Sequence, residues 1–296
     1  MEKRLSFVVA EGGVRLDKYV SEQCPEISRT RAQKLIDEGL VTVNGRAARS
    51  SLKLNTGDRV EVVVPPPPPS QLAPEEIPLD IIYEDADLLV VDKPAGLTVY
   101  PAAGHPGHTL VNAVLAHYPA LPGSPLRPGI VHRLDKDTSG LIVLAKNSVA
   151  QANLIDQFKS HAVNKTYLAL VKGRVTPERG AIEAPIGRDP VDRKRMAVVA
   201  GGKQARTTYQ VIKYIDDYTL LEVKIETGRT HQIRVHLSAI GYPVVGDKVY
   251  GFKSPYLSRQ FLHAYRLGLK LPSTGEYREF KSELPEELKR ALEAIS

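Results

Sequence analysis

His132-Arg133-Leu134-Asp135-Lys136-Asp137-Thr138-Ser139-Gly140 runs directly into Leu141-Ile142-Val143-Leu144-Ala145. A mostly polar, turn-prone segment that gives way at once to a continuous apolar run predicts a loop at the rim of a sheet feeding a buried strand. Rigid scaffolds commonly hold reactive side chains on such loops. Asp135, a carboxylate set beside a cation, is the candidate nucleophile. Two other motifs compete for the same residues. Asp135, Asp137, Ser139 and Gly140 match the opening of a calcium-binding helix-loop-helix, but its twelfth position, which needs a bidentate Glu, is Lys146. The Asp-x-Asp-Thr spacing also fits phosphatases that form an aspartyl phosphate, although these need an all-apolar strand before the first Asp, and His132 and Arg133 interrupt it. An Asp-rich turn with ordinary Thr and Ser turn formers is the plainest alternative.

With 296 residues, 42% hydrophobic and 25% charged, the composition is that of a globular protein, and the length suits two domains of the usual ~100–150 residues. The net charge of +6 and pI near 9.2 suit a polyanionic partner, because Lys and Arg gain affinity for phosphates by releasing counterions. Cys24 is the single cysteine, so no intrachain disulfide forms, no cysteine cluster holds zinc, and a reducing compartment is expected. The N-terminus lacks the apolar core of a signal peptide, and no apolar run reaches the ~18 residues of a membrane span. A cytoplasmic monomer with no membrane association is expected.

Pro65 to Pro69 are five consecutive prolines, which read as a semi-rigid linker. The expected division is therefore residues 1–64, a linker over 65–75, and residues 76–296. In the first part Leu16, Tyr19 and Val20 mark a short helix. Ser28 caps a second, with Ala32, Leu35 and Ile36 inward and Arg29, Arg31 and Lys34 outward, and Gly39 ends it. Val41-Thr42-Val43, the hairpin signal Asn44-Gly45, a basic segment containing Arg46, Arg49 and Lys53, and a strand from Asp58 to Val64 follow. A basic helix beside a hairpin makes a phosphate-binding face. With Arg15-Leu16-Asp17 and Ser28-Arg29-Thr30-Arg31-Ala32, this order resembles the small RNA-binding module called the alpha-L or S-four domain. The resemblance implies RNA contacts from Arg15, Arg29, Arg31, Lys34 and Arg46.

Beyond the linker, strands are expected at Ile81–Glu84, Leu88–Val91, Tyr167–Val171, Thr207–Tyr214 and Thr219–Ile225, and helices at Thr109–His117, Ser148–Phe158 and about Pro285–Ile295. Successive strands with unevenly interspersed helices predict an α+β fold with a mixed or antiparallel sheet. Glu226-Thr227-Gly228-Arg229-Thr230-His231-Gln232-Ile233-Arg234-Val235-His236 follows a strand, turns at Gly228 and is expected to start a helix with Thr230 near its cap. Five helical positions differ by ~140° in direction, so His231 and His236 do not share a face. With no His-Glu-x-x-His pattern, no metal is expected.

His132-Arg133-Leu134-Asp135 with Thr138-Ser139-Gly140, Lys93-Pro94-x-Gly96, Lys165-Thr166-Tyr167 and the Gly228 to His236 run together resemble the RluA/RluD family of pseudouridine synthases, over residues 76 to about 270. One departure is Tyr100, where the family often has His in a Val-His-Pro sequence. The resemblance implies isomerisation of specific uridines to pseudouridine in large-subunit ribosomal RNA, free or in an assembly precursor, with no cofactor. It implies Asp135 acting at the sugar, Arg229 paired with it by a bidentate fork, and Tyr167 stacking on uracil with its hydroxyl near ring carbon five. Arg133 would fill the space left by the extruded base, Ile233 would pack under the uracil, and His132 would belong to the substrate site. A non-catalytic RNA-binding or ribosome-assembly protein is the alternative class, and an aspartate-dependent phosphatase a third.

Overall fold

The computed structural model describes residues 3–24, 27, 29–65, 72–101, 106–193 and 195–295, and the chain divides into two compact units, Met1–Pro69 and Ser70–Ser296. Ser28, expected to cap a helix, and most of the proline run lie outside the described residues.

The first unit contains β1 (Lys3–Val8), α1 (Leu16–Gln23), α2 (Arg29–Asp37), β2 (Val41–Val43), β3 (Arg46–Ala47) and β4 (Arg59–Val64). The strands form one antiparallel sheet in the order β1-β4-β2-β3. Asn44 and Gly45 both take positive φ, 53° and 75°, the conformation that a two-residue hairpin loop needs and that this pair adopts most readily. Leu16 and Val20 of α1, and Ala32 and Leu35 of α2, are fully buried against Val41, Val60 and Val62 of the sheet. The apolar spacing read in the sequence is thus the packing face.

The second unit begins with β5 (Asp80–Glu84) and β6 (Leu88–Lys93), followed by α3 (Leu110–His117), the short pair β7 (Gly123–Ser124) and β8 (Arg127–Pro128), β9 (Ser139–Ala145) and α4 (Ser148–Lys159). It continues with β10 (Asn164–Lys172), β11 (Arg179–Glu183), the hairpin β12 (Ile186–Arg188) and β13 (Met196–Val198), and β14 (Arg206–Ile215). Last come β15 (Tyr218–Ile225), α5 (Gln232–Ala239), β16 (Leu262–Lys270), β17 (Tyr277–Lys281) and α6 (Glu286–Ile295). Nine strands form one sheet in the order β11-β14-β15-β10-β16-β9-β6-β5, with β17 paired to β16. Every pairing is antiparallel except β9 with β16. The fold is a mixed-sheet α+β arrangement, as the element pattern predicts.

All seven residues of β9 are buried. Alternate side chains serve opposite faces: Ile142 and Leu144 pack in the larger core with α3, α5 and α6, while Leu141, Val143 and Ala145 pack with Ala150 and Leu154 of α4. This two-sided burial is why the run is apolar without alternation. Gly140 starts the strand at φ 111°, and a Cβ there would lie 2.3 Å from the carbonyl oxygen of Ala264. Only glycine lets the loop enter the sheet against β16. Among the described residues no helix is long and apolar enough to cross a membrane.

Candidate active site

Asp135 stands on the loop that precedes β9, and the loop is fixed by its own carbonyls. Asp135 O accepts from Thr138 N (3.1 Å), Lys136 O from Gly96 N (3.0 Å) and Lys93 Nζ (3.0 Å), and Asp137 O from Arg259 Nη1 (3.1 Å). Lys93 is fully buried and also donates to the carbonyls of Pro94 (2.8 Å) and Leu97 (2.9 Å). Burial pulls its pKa down to about 7, yet three carbonyl acceptors match the three N–H donors of an ammonium. That geometry favours the charged form. Arg259, 7% exposed, also reaches Ser139 Oγ and binds Glu287 of α6. Two cations therefore brace the loop from behind.

In front of the loop is a cavity lined by Asp135, Tyr167, Arg229, His231, Ile233 and Arg234, among others. The carboxylate of Asp135 accepts from Arg234 Nη1 at 3.1 Å. Arg234 is almost fully buried, and its Nε and Nη2 grip Asp247 at 2.6 and 2.9 Å. Asp247 also accepts the backbone N–H groups of Val249 and Tyr250. Burial alone would lower the Arg234 pKa, but the two carboxylates outweigh it and hold the guanidinium above its ordinary value. Arg234 is thus clamped by one acid and presents its remaining edge to the other.

This corrects the expected pairing. Arg229 lines the same cavity, but it is half-buried on the turn before α5, and its Nε donates to Gln204 O at 3.0 Å. The helix begins later than expected. Thr230 is not its cap; His231 is, in a left-handed conformation with φ 56°. The preceding turn is held by the buried Gln232, whose side chain accepts from Arg229 N and Thr227 Oγ1 and donates to Arg206 O and Thr207 Oγ1. Starting the helix at Gln232 turns Arg234 inward beside Ile233, which is 4% exposed and lines the cavity.

The two histidines face apart. His236 bonds Thr207 Oγ1 and Ala184 O. His231 Nδ1 lies 2.8 Å from the Tyr250 hydroxyl, which itself accepts from Met196 N. The other ring nitrogen, Nε2, lies 3.9 Å from Asp135 Oδ1. Burial lowers the His231 pKa against the pull of Asp135, so a neutral ring faces the carboxylate.

Tyr167 comes from β10, where the pairing with β16 shifts register between Thr166 and Tyr167. Such irregularities re-aim side chains. Tyr167 is 7% exposed, and burial together with the nearby Asp135 charge pushes its phenol well above the ordinary range. The phenol is neutral at pH 7. Arg133 is exposed at the cavity mouth. His132 does not join it: its Nε2 accepts from Val143 N at 2.9 Å and its ring stacks on Phe158 at 4.6 Å. Burial lowers the His132 pKa to about 3, and the neutral ring ties the loop to β9 and is not among the residues that line the cavity. Lys146, where a calcium loop needs Glu, binds Glu84 and the Asp85 carbonyl. No cluster of metal-ligating side chains occurs among the described residues.

In the first unit, Asp17 is fully buried and accepts from Arg15 Nε and Nη2, Arg29 Nε and Gln33 Nε2 at 2.7–3.1 Å. These partners, Arg15 first, hold its carboxyl far below the usual carboxylate range. Arg15 and Arg29 are thereby set side by side on one acid. Lys34 pairs with Glu38 at 3.7 Å, Arg31 is half-buried, and Arg46 is exposed on β3.

The sequence pattern of RNA pseudouridylate synthase matches residues 87–239, about half the chain, and that of the S4 domain matches residues 14–60. A Chloroflexus aurantiacus protein named RNA pseudouridine synthase is 52% identical over 95% of this chain and 90% of its own. The chain belongs to the RNA pseudouridylate synthase family. It is an enzyme, an isomerase of that family, with an S4 domain ahead of the synthase domain. The synthase is also 44% identical, over 93% of this chain and 90% of the relative, to the ribosomal large subunit pseudouridine synthase D of Pseudomonas aeruginosa. Among solved structures, human RNA pseudouridylate synthase domain containing 1 superposes with a TM-score of 0.58 at 31% identity, covering 71% of the synthase and 85% of the human chain.

Arg234, Asp247 and Tyr250 are the site residues that sequence reasoning missed. A signal for the first was present: an arginine inside the apolar run Ile233, Val235, Leu237 has to find a buried acid. Nothing local marks Asp247 as that acid.

Proposed function

We propose that this synthase converts specific uridines of large-subunit ribosomal RNA to pseudouridine, with Asp135 as the catalytic carboxylate. The observation that carries the reading is the Asp135 carboxylate in a cavity beside a neutral phenol and an apolar side chain, held by a guanidinium that is itself clamped. The names of relatives at 44–45% identity support the large-subunit substrate.

The reaction breaks the bond between the anomeric carbon and ring nitrogen one, turns the uracil, and forms a bond from the anomeric carbon to ring carbon five. Ring carbon five then loses its proton. Asp135 acts at the sugar, as nucleophile or base, and the hydrogen bond from Arg234 keeps it aimed. Tyr167 offers its ring for stacking and, as a neutral phenol, takes up the carbon-five proton only by passing its own proton on. Ile233 packs under the base, and Arg133 takes the place vacated when the nucleotide leaves its stack, an extrusion costing a few kcal/mol. Arg229 contributes charge at the cavity mouth. Arg15, Arg29, Arg31, Lys34 and Arg46 bind RNA through phosphates. The protein works in the cytoplasm as a monomer.

The test is Asp135→Asn, assayed on large-subunit RNA and by mapping pseudouridines in cells with and without the protein. Pseudouridine formation is expected to vanish while RNA affinity stays within a fewfold. An unchanged pseudouridine map in cells carrying only that variant refutes the assignment.

A further inference from the structure

Two guanidiniums lie beside the Asp135 loop, and one of them, Arg127, is not used by the chemistry above. Arg133 Nη1 donates to the Tyr100 hydroxyl at 2.9 Å, with the guanidinium carbon 5.5 Å from the ring centroid. Arg127, from β8, lays its guanidinium 4.3 Å from the same centroid. Tyr100 is 9% exposed and packs in the larger core, so the platform is fixed, while both arginines are exposed.

Both lie on one ring, which puts the two charges within about one Debye length of each other at 0.1 M salt, ~10 Å. Neither guanidinium has a carboxylate partner among the described residues. The cavity they line also holds Asp135, Asp137 and Arg234. Asp135 is engaged by Arg234, and Asp137 faces the charge of Lys93. Two like charges held together on a rigid aromatic, neither paired with an acid among the described residues, form a site for an anion that accepts from both. A phosphodiester fits that description, because guanidinium and phosphate pair through parallel hydrogen bonds. The same cavity reaches Asp135, so the phosphate sits close in sequence to the target nucleotide.

We propose that Arg127, with Arg133 and the Tyr100 platform, binds a backbone phosphate flanking the uridine that enters the Asp135 cavity. This rests on the function proposed above. Arg127 is a specificity contact, and Tyr100 is a positioning residue acting through both arginines.

The experiment uses a fragment of large-subunit ribosomal RNA in which the intact enzyme forms pseudouridine. Each phosphate within two nucleotides of the target is replaced in turn by an uncharged methylphosphonate. One replacement is expected to raise KM about tenfold for the native enzyme, the size of a lost charge-assisted contact. Arg127→Gln is expected to raise KM for unmodified RNA by a similar factor, and the same replacement then to cost it less than about twofold, because the contact is already gone. Tyr100→Phe keeps the ring under Arg127 but releases Arg133, and is expected to reduce sensitivity at that phosphate partially. Arg127 is exposed, so its variant keeps the fold. If the penalties of Arg127→Gln and of every methylphosphonate simply multiply, Arg127 touches no flanking phosphate and the proposal fails. Absence of pseudouridine from every RNA with the native enzyme would instead overturn the function itself.

Discussion

Arg234 spans two carboxylates, and replacing it separates its two jobs. Arg234→Lys keeps the charge but not the fork. Asp247 is fully buried and already accepts two backbone N–H groups, so the strongest pull on a lysine ammonium is toward Asp247. Asp135 then loses one charge-assisted hydrogen bond, worth about 1.5–3 kcal/mol. At 1.36 kcal/mol per factor of ten this corresponds to a kcat lower by about 10- to 150-fold, with RNA affinity nearly unchanged. Arg234→Gln also leaves Asp247 as a buried charge without its partner, and the loss of stability is expected to reach about 3–5 kcal/mol. Arg229→Gln gives the control: its guanidinium binds a carbonyl at the cavity mouth, so it is expected to raise KM more than it lowers kcat. Single-turnover kinetics on large-subunit RNA, with urea denaturation of each variant, measure both effects. An Arg234→Lys enzyme with native kcat, or an Arg229→Gln enzyme as impaired in kcat as Arg234→Gln, refutes the pairing.

His132 has a pKa lowered to about 3 in the fold against about 6.5 unfolded, so the unfolded chain binds the extra proton and His132 contributes stability above pH 6.5 that is lost as pH falls toward 3. His132→Phe keeps the stack on Phe158 but strands Val143 N–H. It is expected to cost about 1–3 kcal/mol at pH 8, with the difference from the native protein shrinking below pH 6.5 in urea titrations; a gap that widens in acid contradicts this. The depressed Asp17 pKa works in the same direction at lower pH: its contribution is complete above about pH 4 and is lost on further acidification. Asp17→Asn is expected to lower stability of the first unit by about 1.5–3 kcal/mol at pH 7, read by hydrogen exchange of α1 and α2. A native exchange pattern in that variant would count against the role of Asp17.

Features set by neighbours in sequence were legible. The apolar run of β9, the Asn44-Gly45 hairpin and the amphipathic faces of α2 and α6 each follow from local pattern. Where partners come from afar, the reading failed. β16 pairs with both β9 and β10 near the middle of the sheet, but Arg266 and Gly268 interrupt its apolar pattern, and nothing local announces it. The start of α5 was misplaced by one residue because a left-handed His231 replaces the expected Thr230 cap. A shift of that size rotates the helix by ~100°. The arginine bonded to Asp135 is Arg234, on the helix, and not Arg229 on the turn before it. His132 went astray for a similar reason: adjacency to Asp135 in sequence suggested the substrate, whereas a strand N–H on β9 claims the ring.

The carbonyls of residues 135, 136 and 137 are all bonded, two of them by cations lodged behind the loop. With no slack left, this stretch of polypeptide behaves as an anvil. In the reaction proposed for Asp135, all the bending and unstacking needed to bring sugar and carboxylate together then falls on the nucleic acid, so the ease with which an RNA gives up one nucleotide from its helix becomes the quantity that ranks competing uridines.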